Sequence, residues 1–180
     1  MLLKMIGLPA VVAAVCLVVG AGRSLPVPRG AQDSGSLIKG ASVTHHATGS
    51  FDVKIEPQKP DNAPAEASGL GRMSIDKQFH GELEATSKGE MLSLLDRASG
   101  SGGYVALERV TGTLQGKSGS FALQHNATMD HGKPSLNIIV VPGSGTGGLA
   151  GISGTMNIRI ESGKHFYDFD YTLPAASPSQ

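Results

Sequence analysis

The sequence contains one cysteine, few aromatic residues and no excess of positive or negative charge. Its single cysteine, Cys16, lies in an apolar run near the N-terminus, so the rest of the chain can form no disulfide or cysteine-ligated metal site. Tryptophan is absent and aromatic residues make up 4% of the chain, which leaves few surfaces on which nucleic-acid bases could stack. Lysine plus arginine and aspartate plus glutamate number 15 each. We therefore expect no nucleic-acid partner, because no basic surplus would attract a phosphate backbone.

The sequence also lacks a helix where a nucleotide-binding motif would need one. Residues 140–154, VVPGSGTGGLAGISG, have the spacing G-x-G-x-x-G at Gly143, Gly145 and Gly148. That motif binds a pyrophosphate only when a strand leads through the turn into a helix. Here small and apolar residues recur at every second position, the period of a strand: Ala150, Ile152, Gly154, Met156, Ile158 and Ile160. We interpret the motif as a rim turn before a strand, and we expect no cofactor.

The first 22 residues have the layout of a secretory signal peptide. Lys4 precedes an apolar run over residues 8–19, which small residues follow before Arg23. The run is shorter than the roughly 20 residues that a membrane-spanning helix needs. We predict a secreted or periplasmic protein with no stable membrane span after cleavage; an uncleaved N-terminal anchor is the alternative. The predicted division is a signal peptide at 1–22, a flexible linker at 23–43, a β-barrel domain at 44–173 and a disordered tail at 174–180.

Residues 44–173 alternate between apolar and polar side chains and are interrupted by glycine-rich turns. No stretch shows helical periodicity over enough residues to predict a helix. The irregular segment after Pro57 is predicted to be a surface loop. The pattern predicts an all-β fold with eight antiparallel strands, either a closed up-and-down barrel or a sandwich. The predicted strands cover residues 44–56, 71–87, 90–95, 103–114, 119–129, 134–142, 149–160 and 165–173.

Hairpin geometry predicts which side chains share a face. If QGKS at 115–118 is a four-residue turn, Val110 faces Leu123 and Glu108 faces His125. Gly112 and Phe121 belong to the same face, which is apolar apart from Glu108 and His125. The later turn DHGK adds Leu136, Ile138 and Val140 to this face. Across the turn ESGK, the inward residues Met156, Ile158 and Ile160 meet His165, Tyr167 and Phe169. In the first hairpin the odd-numbered residues face inward: Phe51, Val53, Ile55, Met73, Ile75, Lys77, Phe79 and Leu83.

A lysine, a glutamate and a histidine are thus predicted inside an apolar wall. Buried charges are costly, so Lys77, Glu108 and His125 should pair or shift their pKa values. They could hold the polar end of a ligand or act as general acid and base, or they could form a satisfied structural cluster with no ligand. Glu108 and His125 are the candidate catalytic residues. The candidate ligand-binding residues are Lys77, Glu108, His125, Phe121, Leu123 and Val110. We expect no metal, because His45 and His46 precede the first strand as a solvated pair.

Four segments of the chain resemble the DUF3224 family, which consists of bacterial proteins of unassigned function. They are KQFHGELEA, YVALERVTGTLQGKSGSFALQHNATMD, VVPGSGTGGLAGISG and FYDFDYTL. The resemblance covers about residues 44–173 and implies an eight-stranded, calycin-like barrel similar to allene oxide cyclase and the dirigent proteins. In those proteins the lumen binds an apolar molecule and, without a cofactor, holds it for cyclisation or stereoselective coupling. The chain departs from the family in its leader, in the insert after Pro57 and in Gly148, where an acidic residue is common.

Three functions remain open from the sequence. The first is a binding module whose lumen holds a small apolar or amphipathic molecule, because closed eight-stranded barrels are about the size for one such ligand. The second is a cofactor-free cyclase or isomerase that acts on a bound conformer. The third is a structural or self-associating protein, a possible homo-oligomer in which the outward Ile139 and Val141 are buried between subunits.

Overall fold

The computed structural model describes residues 43–175. The predicted signal peptide, nearly all of the predicted linker and the last five residues of the predicted tail lie outside this range. Within it, no helix combines the length and the apolar character needed to cross a bilayer.

Eight strands form a closed antiparallel barrel in which each strand pairs with the next and β8 pairs with β1. The predicted all-β, eight-stranded up-and-down barrel is confirmed. The strands are β1 Thr44–Gln58, β2 Gly71–Gly81, β3 Leu83–Asp96, β4 Ser101–Leu114, β5 Lys117–Asp130, β6 Lys133–Val140, β7 Ser153–Glu161 and β8 Lys164–Thr172. One short helix, α1 Ala63–Ala67, interrupts the connection after β1, which had been predicted to be irregular. Asn62 starts it, since its side chain accepts a hydrogen bond from the Ala65 amide at 2.8 Å.

Three hairpins turn on two residues that both have positive φ. This geometry matches the twist of the flanking strands and places glycine at the second position. The turns are Gln115–Gly116, with φ of 44° and 82°, His131–Gly132, with 48° and 79°, and Ser162–Gly163, with 50° and 80°.

The turn at Gln115–Gly116 is two residues shorter than the predicted QGKS turn. The β4–β5 register therefore shifts by two, so that Glu108 lies opposite Leu123 and His125 lies opposite Ala106. The predicted direct pairing of Glu108 with His125 is wrong. Because the shift is even, both side chains still point inward, as predicted.

The predicted strand at 71–87 is two strands joined at a corner. β2 ends at Gly81, whose φ is 105°, and β3 runs from Leu83 through the segment predicted separately as 90–95. Phe79 pairs with Ala85 across the corner, and both are buried. The apolar alternation thus continues in phase through the corner, which is why periodicity alone did not reveal it.

The predicted strand at 149–160 begins only at Ser153, and β6 ends at Val140 rather than at 142. The glycine-rich residues between them form a loop that contains a 3-10 turn, Gly147–Leu149. The loop is tied to β5 by the Thr146 amide, which donates to the Ser120 carbonyl at 2.8 Å, and it buries Leu149 and Ile152 in the core.

The interior has two unequal parts. One end of the barrel carries the β2–β3 and β4–β5 turns and the loop at 141–152, and we call it the closed end. Large side chains fill it. These include Phe79, Leu83, Leu114, Phe121, Tyr167, Phe169 and Tyr171, each at most 2% exposed. Toward the opposite end, here called the open end, a smaller core cluster consists of Ile75, Met91 and Ala106.

Candidate functional site

Four buried polar side chains from four successive strands meet inside the barrel. Lys77 on β2, Ser87 on β3, Glu108 on β4 and His125 on β5 are each at most 6% exposed. Lys77 and Ser87 are direct cross-strand partners, whereas Glu108 and His125 reach each other diagonally. We call these four residues the buried cluster.

Glu108 is the centre of the buried cluster. Its Oε1 accepts hydrogen bonds from Lys77 Nζ at 2.7 Å and from His125 Nε2 at 2.8 Å, and its Oε2 accepts one from Ser87 Oγ at 2.5 Å. Since an ionised carboxylate only accepts hydrogen bonds, the His125 Nε2 atom must carry the proton that is donated to it. Both oxygens of the carboxylate are therefore engaged within the protein.

The surroundings of Glu108 keep it ionised. Burial by itself would raise the pKa of this carboxyl, but the positive charge of Lys77 and the hydrogen bond from His125 outweigh burial and lower the pKa to about 2. The cluster thus contains a stable carboxylate that neutralises the lysine beside it.

Lys77 also lies against two aromatic rings. Its Nζ is 5.0 Å from the centre of the Phe51 ring and 5.7 Å from that of Phe79, distances at which a cation is attracted to the ring. An ammonium has three N–H donors, and the hydrogen-bond partner of Lys77 in the described chain is Glu108. Donor capacity therefore remains for a further group.

A cavity of about 70 Å³, partly open to solvent, lies between the buried cluster and the open end. Lys77 and His125 line it together with mainly apolar side chains: Phe51, Val53, Ile55, Ile75, Met91, Tyr104, Ala106, Leu136, Ile158, Ile160 and His165. The volume accommodates a few non-hydrogen atoms, well below the roughly 300 Å³ at which pockets for drug-sized ligands begin.

His165 on β8 is a second histidine on the cavity wall. Its cross-strand partner is Phe51 on β1, and the centres of the two rings are 5.0 Å apart. Burial lowers the pKa of this imidazole, as does the charge of Lys77, while Asp52 opposes the shift. The charge of Lys77 on β2 therefore affects the pKa of a residue on β8.

The predicted site residues occupy two different regions. Lys77, Glu108 and His125 form one connected group, as the inward parity suggested. Val110, Phe121 and Leu123 are fully buried in the core cluster that fills the closed end, and they do not line the cavity. Their contact with a ligand stays a prediction.

Sequence reasoning assigned no role to Ser87 or His165. Ser87 has the inward parity of β3, but serine is common on either face of a strand and gave no signal. His165 was placed among the inward residues of the last hairpin. His165 comes near Lys77 only because the barrel closes, and the alternation of residues along a single strand does not predict that closure.

Two features of the outer surface bear on the predicted subunit contact and on the neighbouring histidines His45 and His46. Ile139 and Val141, the outward residues of the predicted subunit contact, are half-buried. Among the strand residues, the most exposed large apolar side chains lie on β3 and β4, at Leu92, Leu94, Val105 and Leu107. His46 Nδ1 lies 2.7 Å from Asp170 Oδ1, and His45 stacks on Tyr171. Within residues 43–175, no group of three or more histidine, cysteine or acidic residues could hold a metal ion.

The comparisons with known proteins agree on the family. Residues 47–171 match the profile of DUF3224, a protein family of unknown function. The chain is also similar to a protein of unknown function from the DUF3224 family of Shewanella oneidensis MR-1, known from a crystal structure. The two share 51% identity and a TM-score of 0.65, over 72% of this chain and 97% of that one. No curated protein matches significantly. The likeness to allene oxide cyclase stays a prediction, whereas the chain belongs to the DUF3224 family.

Proposed function

We propose that this barrel binds a small amphipathic molecule in its lumen, at the cavity beside the buried cluster. The observation that carries the proposal is the division of the interior: large side chains fill the closed end, while the other half keeps an apolar cavity that ends at Lys77 and His125. A few polar groups at the end of an otherwise apolar pocket are typical of a site that fixes the orientation of a ligand.

The small volume restricts how a ligand is held. Only one end of a molecule can occupy about 70 Å³, so the remainder extends toward the open end. The cavity is apolar there, with Ile55, Ile75 and Met91 among its walls.

The geometry favours binding over acid–base catalysis by Glu108. A general base works best when its pKa lies near the operating pH, whereas the pKa of Glu108 is lowered to about 2. Its two oxygens are occupied by Lys77, His125 and Ser87. Glu108 thus serves to hold the lysine and the histidine in position.

The proposal is tested by ligand retention in the full chain. The protein is incubated with a lipid and metabolite extract, repurified and analysed by mass spectrometry. An Ala106→Leu variant fills the cavity from β4, and a Val105→Leu variant changes the neighbouring outward residue as a matched control.

We expect the native protein and Val105→Leu to retain the same small molecules and Ala106→Leu to lose them. Equal retention by all three proteins, or no retention by the native protein, would refute a site in this cavity.

A further inference from the structure

Among the described residues, the cavity wall presents a cation to a ligand but no carboxylate. Among the described residues that line it, the polar side chains are Lys77, Tyr104, His125 and His165. The acid of the buried cluster, Glu108, lies behind Lys77 with a side chain that is 0% exposed. A ligand therefore meets the positive side of the Lys77–Glu108 pair.

We propose that the lumen selects a monocarboxylate with a short apolar chain, whose carboxylate accepts hydrogen bonds from Lys77 and His165. This inference rests on the proposed function and names the chemical class of its ligand. Glu108 accepts one hydrogen bond from Lys77, whose ammonium has three N–H donors and lines the cavity, and hydrogen bonds between charged partners are the stronger kind. The apolar chain lies along the side chains that line the cavity toward the open end.

An uncharged ligand would use this arrangement poorly. An alcohol offers a weaker acceptor to Lys77, and an amine places a second positive charge beside it. The property that separates this inference from general apolar binding is therefore a preference among ligands that have the same alkyl chain but different head groups.

The titration of His165 supplies a second readout. Lys77 on β2 and His125 on β5 line the same cavity as this imidazole, and Asp52 acts on it from β1. Burial and the charge of Lys77 lower its pKa. The negative charge of a bound carboxylate would counteract the charge of Lys77 and raise the pKa of His165, whereas a bound alcohol has no charge and would not raise it.

The experiment measures affinities of hexanoate, 1-hexanol and hexylamine for the full chain by titration calorimetry. The His165 ring protons are followed by NMR from pH 5 to 8. We expect hexanoate to bind at least tenfold more tightly than 1-hexanol, hexylamine to bind most weakly, and hexanoate alone to raise the pKa of His165.

Two variants assign the selectivity to the proposed residues. Lys77→Met with Glu108→Gln removes the buried pair as a unit, so no uncompensated charge is left inside the barrel. His165→Gln changes only the second donor. The double variant should bind hexanoate and 1-hexanol within about twofold of each other, His165→Gln should lower the preference, and the exposed control His80→Gln should keep it.

Equal binding of hexanoate and 1-hexanol by the native protein would overturn the carboxylate inference and leave a general apolar site standing. Absence of binding by hexanoate would overturn it as well, and the extract experiment would then decide separately whether the lumen binds anything. An unchanged preference in the double variant would also overturn it, since the carboxylate would then be recognised elsewhere.

Discussion

Gly89 on β3 is the direct cross-strand partner of Glu108 on β4, and the backbones approach so closely that no side chain fits between them. A Cβ built on Gly89 would lie 2.2 Å from the Leu107 carbonyl oxygen and 2.7 Å from Glu108 Cβ. The missing side chain is therefore a requirement for the position of the carboxylate that organises the buried cluster.

Replacing Gly89 by alanine should destabilise the barrel by about 3 kcal/mol, the upper part of the range for overpacking, because backbone atoms cannot rotate away. Gly71→Ala is a matched control, since the nearest atom to its new Cβ is the Ser93 hydroxyl, which can turn aside. Urea unfolding measures both variants. Equal losses of stability would contradict the close approach at Gly89.

Removing one member of the Lys77–Glu108 pair should cost more than removing both. Lys77→Met leaves a buried carboxylate without its cation and should cost about 3–5 kcal/mol, whereas the double variant with Glu108→Gln should recover part of that loss. A double-mutant cycle by chemical denaturation gives the coupling. Additive effects of the two single changes would mean that the pair does not interact across the 2.7 Å between its atoms.

The stability of the native protein should fall in acid because of Glu108. The folded pKa, at about 2, is below the ordinary value of 4.5, so the stabilisation is fully present above about pH 4.5 and is lost as the pH falls toward 2. The double variant Lys77→Met with Glu108→Gln lacks this carboxylate and should lose less stability over the same range. Parallel pH profiles of thermal unfolding for the two proteins would contradict the lowered pKa.

At the closed end, Tyr167 should matter more than Tyr171. The Tyr167 hydroxyl accepts a hydrogen bond from the buried Leu83 amide at 2.8 Å, and phenylalanine would leave that amide without a partner, at a cost of about 1–3 kcal/mol. Tyr171 donates to the side chain of the exposed Gln115, which can turn to water. Tyr171→Phe should therefore cost less in the same denaturation assay; the opposite order would refute this account.

The seam between β6 and β7 should be the weakest part of the barrel wall. These strands share one cross-strand pair, Ile139 with Thr155, whereas β7 forms nine such pairs with β8. Amide hydrogen exchange should be faster for β7 amides directed toward β6 than for those directed toward β8. Uniform protection along β7 would show that the seam is as tightly held as the rest.

Much of the fold was readable from the sequence, because strand periodicity and turn residues are local properties. Inward parity placed Lys77, Glu108 and His125 on one wall even though the predicted register was wrong by two, since an even shift preserves the face. The corner at Gly81 was missed for the same reason: alternation stays in phase through it. The glycine-rich segment at 143–148 was recognised as a turn, but its 3-10 turn and its packing on β5 depend on contacts distant in sequence.

By itself, the sequence determined which side chains face inward, that the fold is all-β and that the polar groups inside it are few. Only the tertiary structure decided that the carboxylate reaches the histidine diagonally, that Val110, Phe121 and Leu123 belong to a filled end and that His165 shares a cavity with Lys77. The physical reason is that alternation specifies a face, whereas strand stagger and closure of the sheet specify which residues on that face meet across the lumen.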